Sequence, residues 1–262
     1  MSAFLNPMLF SLVLSAALFL GILICLELGY SAGRRTAEKH PEWAHEGIGV
    51  IEAAVFALVG LLLGFSFSGA TSRLDARRQL IVQEANAIGT AYLRIDQLPA
   101  AEQPEMRRLF REYLDTRLRV YQVLPDLESA EQQLGRASQL QQEIWSKGVS
   151  GSRADSTQNA ARLLLPALND MIDVTTARSI ALHTRLPALI FALLILVSLL
   201  SGVLAGYAMA IRQRPSRLHM LLYAGVIALT VYVILDLDDP RAGLIRLDTA
   251  DNALVQLRDS IR

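Results

Sequence analysis

Four long, uncharged apolar runs constrain this chain more than any other feature. They cover residues 5–26, 53–72, 186–211 and 218–235, and none contains Lys, Arg, Asp or Glu. A helix needs about 20 apolar residues to cross about 30 Å of hydrocarbon, and each run has that length or nearly so. The sequence therefore predicts an all-α membrane protein with four transmembrane helices. Because the number of spans is even, both termini are expected on the same side of the membrane.

The charged, helix-forming segment between spans two and three predicts an extramembrane bundle that is inserted there and is continuous with both spans. The span-two helix is expected to continue to Leu98, where Pro99 ends it. Further helices are predicted at 103–123, 127–145 and 154–185, with connections at 31–46 and, where Gly148 and Gly151 fall, at 147–152. The predicted layout has four parts: 1–72 with spans one and two, 73–185 as the bundle, 186–235 with spans three and four, and 236–262 as an acidic turn and an amphipathic tail.

Composition and motifs exclude several classes of function. The chain has 25 basic and 25 acidic residues, so no nucleic-acid partner is indicated. Its single cysteine, Cys25, rules out a Cys-cluster metal site. The sequence contains no Gly-rich phosphate loop, nucleophile elbow or paired metal-ligand motif. We therefore expect a protein that is not an enzyme, needs no cofactor or metal, and has the lipid bilayer as a partner. Basic residues near the span ends are divided almost evenly between the two sides of the membrane, so their distribution does not predict an orientation.

Span two has the composition of a helix that contacts other helices or lines a pore. Small residues recur every four positions at Gly60, Gly64 and Ser68, and span three has a similar stripe. Such stripes let helix backbones approach closely, either within one chain or between subunits. One face of span two carries apolar residues followed by a hydroxyl, and in a ring of subunits it would form an apolar neck. The predicted pore-lining residues are Ala57, Leu61, Phe65 and Ser68. Alternatively, the hydroxyls near this end bond back to helix carbonyls.

Beyond span two, the helix is predicted to have a polar stripe and an apolar stripe on opposite sides. The polar stripe would either line a hydrated vestibule or bond to a neighbouring helix, and it consists of Gln79, Gln83, Asn86, Thr90 and Arg94. Glu84, beside it, is expected to pair with Arg77 or Arg94 of another helix. The basic residues Arg73, Arg77 and Arg78 would form either a collar that attracts anions or a set of lipid-headgroup contacts.

The acidic turn after span four contains Asp236, Asp238 and Asp239. These carboxylates could bind Ca²⁺, but the sequence offers too few oxygen ligands for a complete site. Pairing with the arginines at the end of span two is the preferred interpretation, because both segments lie on the same side of the membrane.

Two segments resemble a family of bacterial membrane proteins described as bestrophin-like. They are RLDARRQLIVQEANAIGTAYLR at 73–94 and LDLDDPRAG at 235–243. The segment 61–65 followed by Arg73 is also similar to the pore-neck helix of true bestrophins. That resemblance implies a pentameric anion channel with a cytosolic helical insert, and it places Leu61 and Phe65 at neck positions. Ala57 is smaller than the bestrophin residue at the next level, and the long acidic run of the bestrophin calcium clasp is missing.

These observations lead to one preferred hypothesis and one alternative. The preferred hypothesis is a homo-oligomeric anion channel of the bacterial inner membrane that conducts small anions such as chloride, with the insert and both termini in the cytoplasm. The alternative is a non-conducting scaffold or sensor whose helical insert binds another protein.

Overall fold

A computed structural model of the protein describes residues 7–39, 48–123, 127–154, 158–212, 216–238 and 248–261. Within these ranges the structure is helical and contains no strand. The helices are α1 (Pro7–Lys39), α2 (Ile48–Leu93), α3 (Gln103–Gln122), α4 (Leu127–Ala154), α5 (Leu165–His183), α6 (Ala188–Ile211), α7 (Arg217–Asp238) and α8 (Asp248–Ser260). The all-α prediction is confirmed for the described residues.

Four of the described helices, α1, α2, α6 and α7, are long and apolar enough to cross a membrane. This agrees with the four runs in the sequence and is consistent with a membrane location. Helix α2 is 46 residues long, which corresponds to about 70 Å at 1.5 Å per residue. Since a bilayer core is about 30 Å thick, only part of α2 is needed to cross it.

The chain divides into two compact units. The first comprises Met1–Leu74 and Arg185–Ile245, and the second comprises Asp75–Thr184 and Arg246–Arg262. In the first unit, α1 packs along α6 and α7. The tightest approach joins α1 to α6, where a Cβ on Gly33 would lie 2.6 Å from the Tyr207 carbonyl oxygen, and a Cβ on Gly206 would overlap the Leu26 carbonyl. Only glycine permits this backbone contact.

Polar side chains join further helices of the first unit. The Tyr223 hydroxyl donates to Ser201 Oγ at 2.6 Å, and the Tyr223 ring packs on Phe56 with 5.7 Å between ring centroids. Arg212 donates to Glu52 Oε2 at 3.0 Å, which pairs the start of α2 with the residue that follows α6. These contacts satisfy polar groups that would be costly in an apolar surrounding.

The second unit is a helical bundle around a continuous apolar core. The apolar stripe predicted beyond span two is buried, as Ile81 and Ile88 of α2 and Ile95 of the following turn show. The bend after α2 lies close to its predicted place: a 3-10 turn covers Arg94–Gln97, and Leu98 is extended immediately before Pro99. Proline disfavours helical geometry in the residue before it, which explains why the helix stops here.

Two predicted connections are helical instead. Residues 31–39 of the expected connection at 31–46 belong to α1, which continues to Lys39. Residues 40–46 lie outside the described residues. The expected loop at 147–152 is wrong, since α4 continues to Ala154. A Cβ on Gly148 would lie 2.6 Å from Leu168 Cδ1, and a Cβ on Gly151 would lie 2.7 Å from Leu98 Cδ2. These glycines therefore serve close packing and not a turn.

The segment before Pro166 forms a π-helical turn at Ala160–Leu164, in which the Leu165 N–H bonds to the Ala160 carbonyl. Pro166 lacks the N–H that a regular helix would give to residue 162, so the wider turn accommodates the break. The predicted amphipathic tail corresponds in part to α8, where Leu254 is buried. Residues 239–247, which include Asp239, lie outside the described residues.

Candidate functional site

The face of span two predicted to line a pore is exposed within the first unit. Leu61 is 53% and Phe65 is 68% exposed, and Ala57 and Ser68 are also exposed. In the most apolar segment of α2, 17% of the residues are buried, compared with 28–33% in the other three candidate spans. Span two therefore has the smallest share of buried residues among these four helices.

The opposite face of span two is the one that packs on its own chain. Its buried residues are Glu52, Val59, Ser66 and Ala70, which follow one another at helical spacings of seven, seven and four. At 100° per residue these positions lie roughly opposite the centre of the predicted pore-lining face. The packing of the chain thus leaves that face outward.

The two stripes of small residues have different surroundings. In α6, Gly202 lies against Ile22 and Cys25 of α1, and Gly206 lies against Leu26. In α2, a Cβ on Gly60 or on Gly64 would meet no atom within 4 Å. The α6 stripe therefore mediates packing within the chain, whereas the described residues provide no neighbour for the α2 stripe.

The hydroxyls at the end of span two are in mixed environments. Thr71 Oγ1 donates to the Phe67 carbonyl at 3.0 Å. This is the alternative considered for these hydroxyls, a hydrogen bond to a carbonyl of the same helix. Ser66 is buried and belongs to the packing face, while Ser68 is exposed.

An ion pair joins the end of span two to the acidic turn. Arg73 Nε donates to Asp238 Oδ1 at 2.7 Å, and the Leu186 backbone N–H donates to Asp238 Oδ2 at 2.8 Å. Asp238, the last residue of α7, therefore connects the end of the apolar span within α2 to the residue pair that precedes α6. The predicted pairing of the acidic turn with these arginines is confirmed for this pair. Arg73 Nη2 is buried without a hydrogen-bond partner among the described residues, whereas Asp236 is buried and does have a bonding partner.

The other two arginines of the predicted collar lie in the second unit and differ in exposure. Arg77 is 3% exposed, and its guanidinium donates to the carbonyls of Ala181 at 3.1 Å and Thr184 at 2.8 Å. Arg78 is exposed and pairs with Asp75 at 3.2 Å. Of the three collar arginines, Arg78 is thus the most accessible to solvent ions.

The predicted polar stripe lies on the exposed side of α2 in the second unit. Gln79, Gln83, Asn86 and Thr90 are all exposed. Arg94 differs, because its guanidinium donates to the Leu163 carbonyl at 2.8 Å. The first four present an uncharged polar surface, and Arg94 fastens the end of α2 to the π-helical turn.

The partners predicted for Glu84 are wrong. Its carboxylate accepts from Arg117 Nε at 2.6 Å and also from Arg178, and Arg178 reaches Asp251 at 3.3 Å. Arg77 and Arg94 are instead engaged by backbone carbonyls. The sequence did contain a signal for a buried ion, since Glu84 falls between Ile81 and Ile88 on the apolar stripe. A carboxylate there must be paired.

Tyr113 is the centre of a second buried polar group in the second unit. Its hydroxyl lies 3.1 Å from Thr175 Oγ1 and accepts from Gln141 Nε2 at 2.9 Å. Burial raises the pKa of Tyr113 to about 12, so the phenol is neutral at physiological pH. Glu84, Arg117, Arg178 and Asp251 have balanced charges and bring together α2, α3, α5 and α8 of the second unit. This arrangement is structural and offers no open position to a substrate.

Comparisons with known proteins identify the family. The sequence model of the Bestrophin-like domain matches residues 20–251. A mutant of a bacterial bestrophin homologue from Klebsiella pneumoniae has a similar structure, with a TM-score of 0.61, 14% identity, and coverage of 91% of this chain and 98% of that chain. A second solved structure, described as a membrane protein mutant, has a TM-score of 0.59 and 13% identity. The match covers 92% of this chain and 98% of that chain.

No curated protein sequence matches the chain. At these identities the structural matches establish a shared fold, and the match of the family model covers most of the sequence. The chain therefore belongs to the Bestrophin-like domain family.

Proposed function

We propose that the protein assembles into a homo-oligomeric membrane channel in which span two surrounds the pore. Ala57, Leu61, Phe65 and Ser68 would then face the lumen, and small anions such as chloride would pass. The observation that carries this proposal is the outward face of span two. Ala57, Gly60, Gly64 and Ser68 on that face are small, and small residues are typical of helix contacts between membrane segments.

The second half of α2 would line a hydrated vestibule in this assembly. The exposed side chains of Gln79, Gln83, Asn86 and Thr90 are amides and a hydroxyl, which hydrate well without holding an ion tightly. Conduction requires binding that is weak enough for an ion to leave. An uncharged polar wall satisfies that requirement.

The compensated charges of the arginine collar lead us to expect weak selectivity between anions and cations. Arg73 and Arg78 are each paired with a carboxylate, and Arg77 is buried. Their combined positive potential is therefore smaller than three free arginines would produce. We expect a modest preference for anions and a low conductance, since rings of Leu61 and Phe65 resist wetting.

The remaining organisation belongs to the same proposal. Residues 73–185 would form the extramembrane insert between spans two and three, on the cytoplasmic side of the bacterial inner membrane together with both termini. The sequence similarity to true bestrophins suggests five subunits. The alternative is an oligomeric scaffold or sensor in which the same face of span two is only a packing seam.

The proposal is tested by replacing Leu61 and Phe65 together with Ala in the full-length protein. In planar bilayers, the double variant should raise conductance severalfold because it widens and hydrates the neck. The matched control replaces Leu58 and Phe67, which are 45% and 44% exposed. It removes the same types of side chain from the flanks of the face, and its conductance should stay near that of the unaltered protein.

Three outcomes would contradict parts of the proposal. A monomer in mild detergent by light scattering would exclude the channel. An oligomer without flux, in both the unaltered protein and the double variant, would favour the scaffold. A reversal potential in a NaCl gradient that shows sodium preference would refute anion conduction and leave the pore intact.

A further inference from the structure

A groove in the second unit is lined by an unusual number of arginines. It has a volume of about 510 Å³ and lies among α3, α4 and α8. Its guanidinium groups come from Arg108, Arg111, Arg119, Arg136 and Arg258. Glu112 and Asp115 are the carboxylates in the lining, so five positive charges face two negative charges. The volume falls in the range of small-molecule sites.

Three of these arginines are held by carboxylates. Arg108 bonds to Glu105 and Glu112, Arg136 bonds to Glu112, and Arg258 bonds to Asp115. The hydrogen bond from Arg136 keeps the pKa of Glu112 below its usual value, so this carboxylate is ionised at neutral pH. These ion pairs largely balance the charges of the three arginines.

Arg111 and Arg119 differ from the other three. The guanidinium group of neither arginine forms an ion pair or a hydrogen bond among the described residues. Arg111 is half-buried and Arg119 is exposed. They are eight residues apart on α3, which corresponds to about 12 Å along the helix axis. The uncompensated positive charge of the groove is therefore carried at two separated points.

We propose that this groove binds a multivalent oxyanion with at least two phosphoryl groups. Planar guanidinium groups bind phosphate oxygens through paired, charge-assisted hydrogen bonds. Two such groups, on long side chains that can converge from these two helix positions, suit an anion with two phosphoryl groups better than chloride or a single phosphate. The lining residues are all polar, so the groove offers little apolar surface to an acyl chain or a nucleobase. The phosphoryl groups could belong to a soluble diphosphate or to a lipid headgroup.

A ligand in the groove would contact α8 through Arg258, which pairs with Asp115 of α3. A ligand bound here would bring together groups from α3, α4 and α8. The site therefore extends the role of the second unit beyond that of a pore vestibule.

The test is isothermal titration of the full-length protein in detergent with pyrophosphate, at constant ionic strength. Replacing Arg111 and Arg119 together with Gln should weaken binding at least tenfold. The control Arg153→Gln removes an exposed arginine outside the groove and should leave binding unchanged. Thermal midpoints of both variants without ligand show whether each remains folded.

A second arm titrates a water-soluble, short-chain diacylglycerol pyrophosphate, whose headgroup carries two phosphoryl groups. Tighter binding of pyrophosphate would assign a soluble ligand, and tighter binding of the lipid would assign a headgroup; both support an oxyanion site. The proposal is overturned if neither binds, if sulfate at the same ionic strength binds equally well, or if the double variant of Arg111 and Arg119 binds as tightly as the unaltered protein.

Discussion

At the residue scale, the most buried ionised side chains among the described residues are compensated by bonding partners. Glu84 is fully buried, and two arginines compensate its charge. Removing one member of such a group leaves the others unpaired in a low dielectric. The same reasoning applies in the first unit to Asp238, which accepts from a guanidinium and from a backbone N–H.

Asp238→Asn should lower the stability of the protein in detergent by about 2 kcal/mol, because hydrogen bonds to charged groups are worth that order of energy. The side chains of Arg73 and Asp238 are only 21% and 12% exposed. The matched control is Asp75→Asn, which breaks the exposed pair with Arg78 and should cost less than about 1 kcal/mol. Thermal midpoints of the two variants measure the difference.

Equal midpoints would show that the Arg73–Asp238 pair contributes no more than a surface ion pair. The same experiment tests the acidic turn for metal binding. We expect added Ca²⁺ to leave the midpoint of the unaltered protein in place, and a large rise would instead support a calcium site at this turn.

At the scale of elements, the similar stripes of small residues in α2 and α6 have different surroundings. Gly206 of α6 is in contact with the backbone of α1, while Gly64 of α2 has open space around it. The difference arises because α6 is packed against α1 along its length, whereas α2 exposes its small-residue face. This predicts different effects for the same substitution.

Gly206→Leu should destabilise the folded chain by about 3 kcal/mol or more, since the added side chain must displace a helix backbone. Gly64→Leu should change the stability of the monomer by less than about 0.5 kcal/mol. If the α2 face joins subunits, however, Gly64→Leu should reduce the oligomer fraction about tenfold. Thermal midpoints and light scattering of both variants separate the two effects. An oligomer that tolerates Gly64→Leu would place the subunit contacts elsewhere.

At the scale of the whole molecule, sidedness decides which solution the second unit meets. With four spans, Ser150 and the C-terminal tail are expected on one side and Thr36 on the other. Both residues lie outside the four apolar runs. An orientation can therefore be measured by labelling at two positions, without assuming any arrangement of the two units.

If the insert is cytoplasmic, a cysteine at Ser150 on a Cys25→Ala background should resist a membrane-impermeant thiol reagent in intact cells. A cysteine at Thr36 should be labelled under the same conditions. The reverse pattern would place the second unit outside the cytoplasm. It would then contradict the cytosolic insert that the resemblance to true bestrophins implies. Labelling of both cysteines after membrane disruption confirms that each is reactive.

The sequence alone determined the helical class, the four apolar runs, the long α2 and the buried stripe at Ile81, Ile88 and Ile95. It did so because hydrophobic length and periodicity are local properties. Only the tertiary structure decided that Gly148 and Gly151 are packing residues, that Glu84 pairs with Arg117 and Arg178, and that Arg111 and Arg119 line one groove. Such outcomes depend on which helices meet, and contacts between residues far apart in the chain are not encoded in the spacing of either segment.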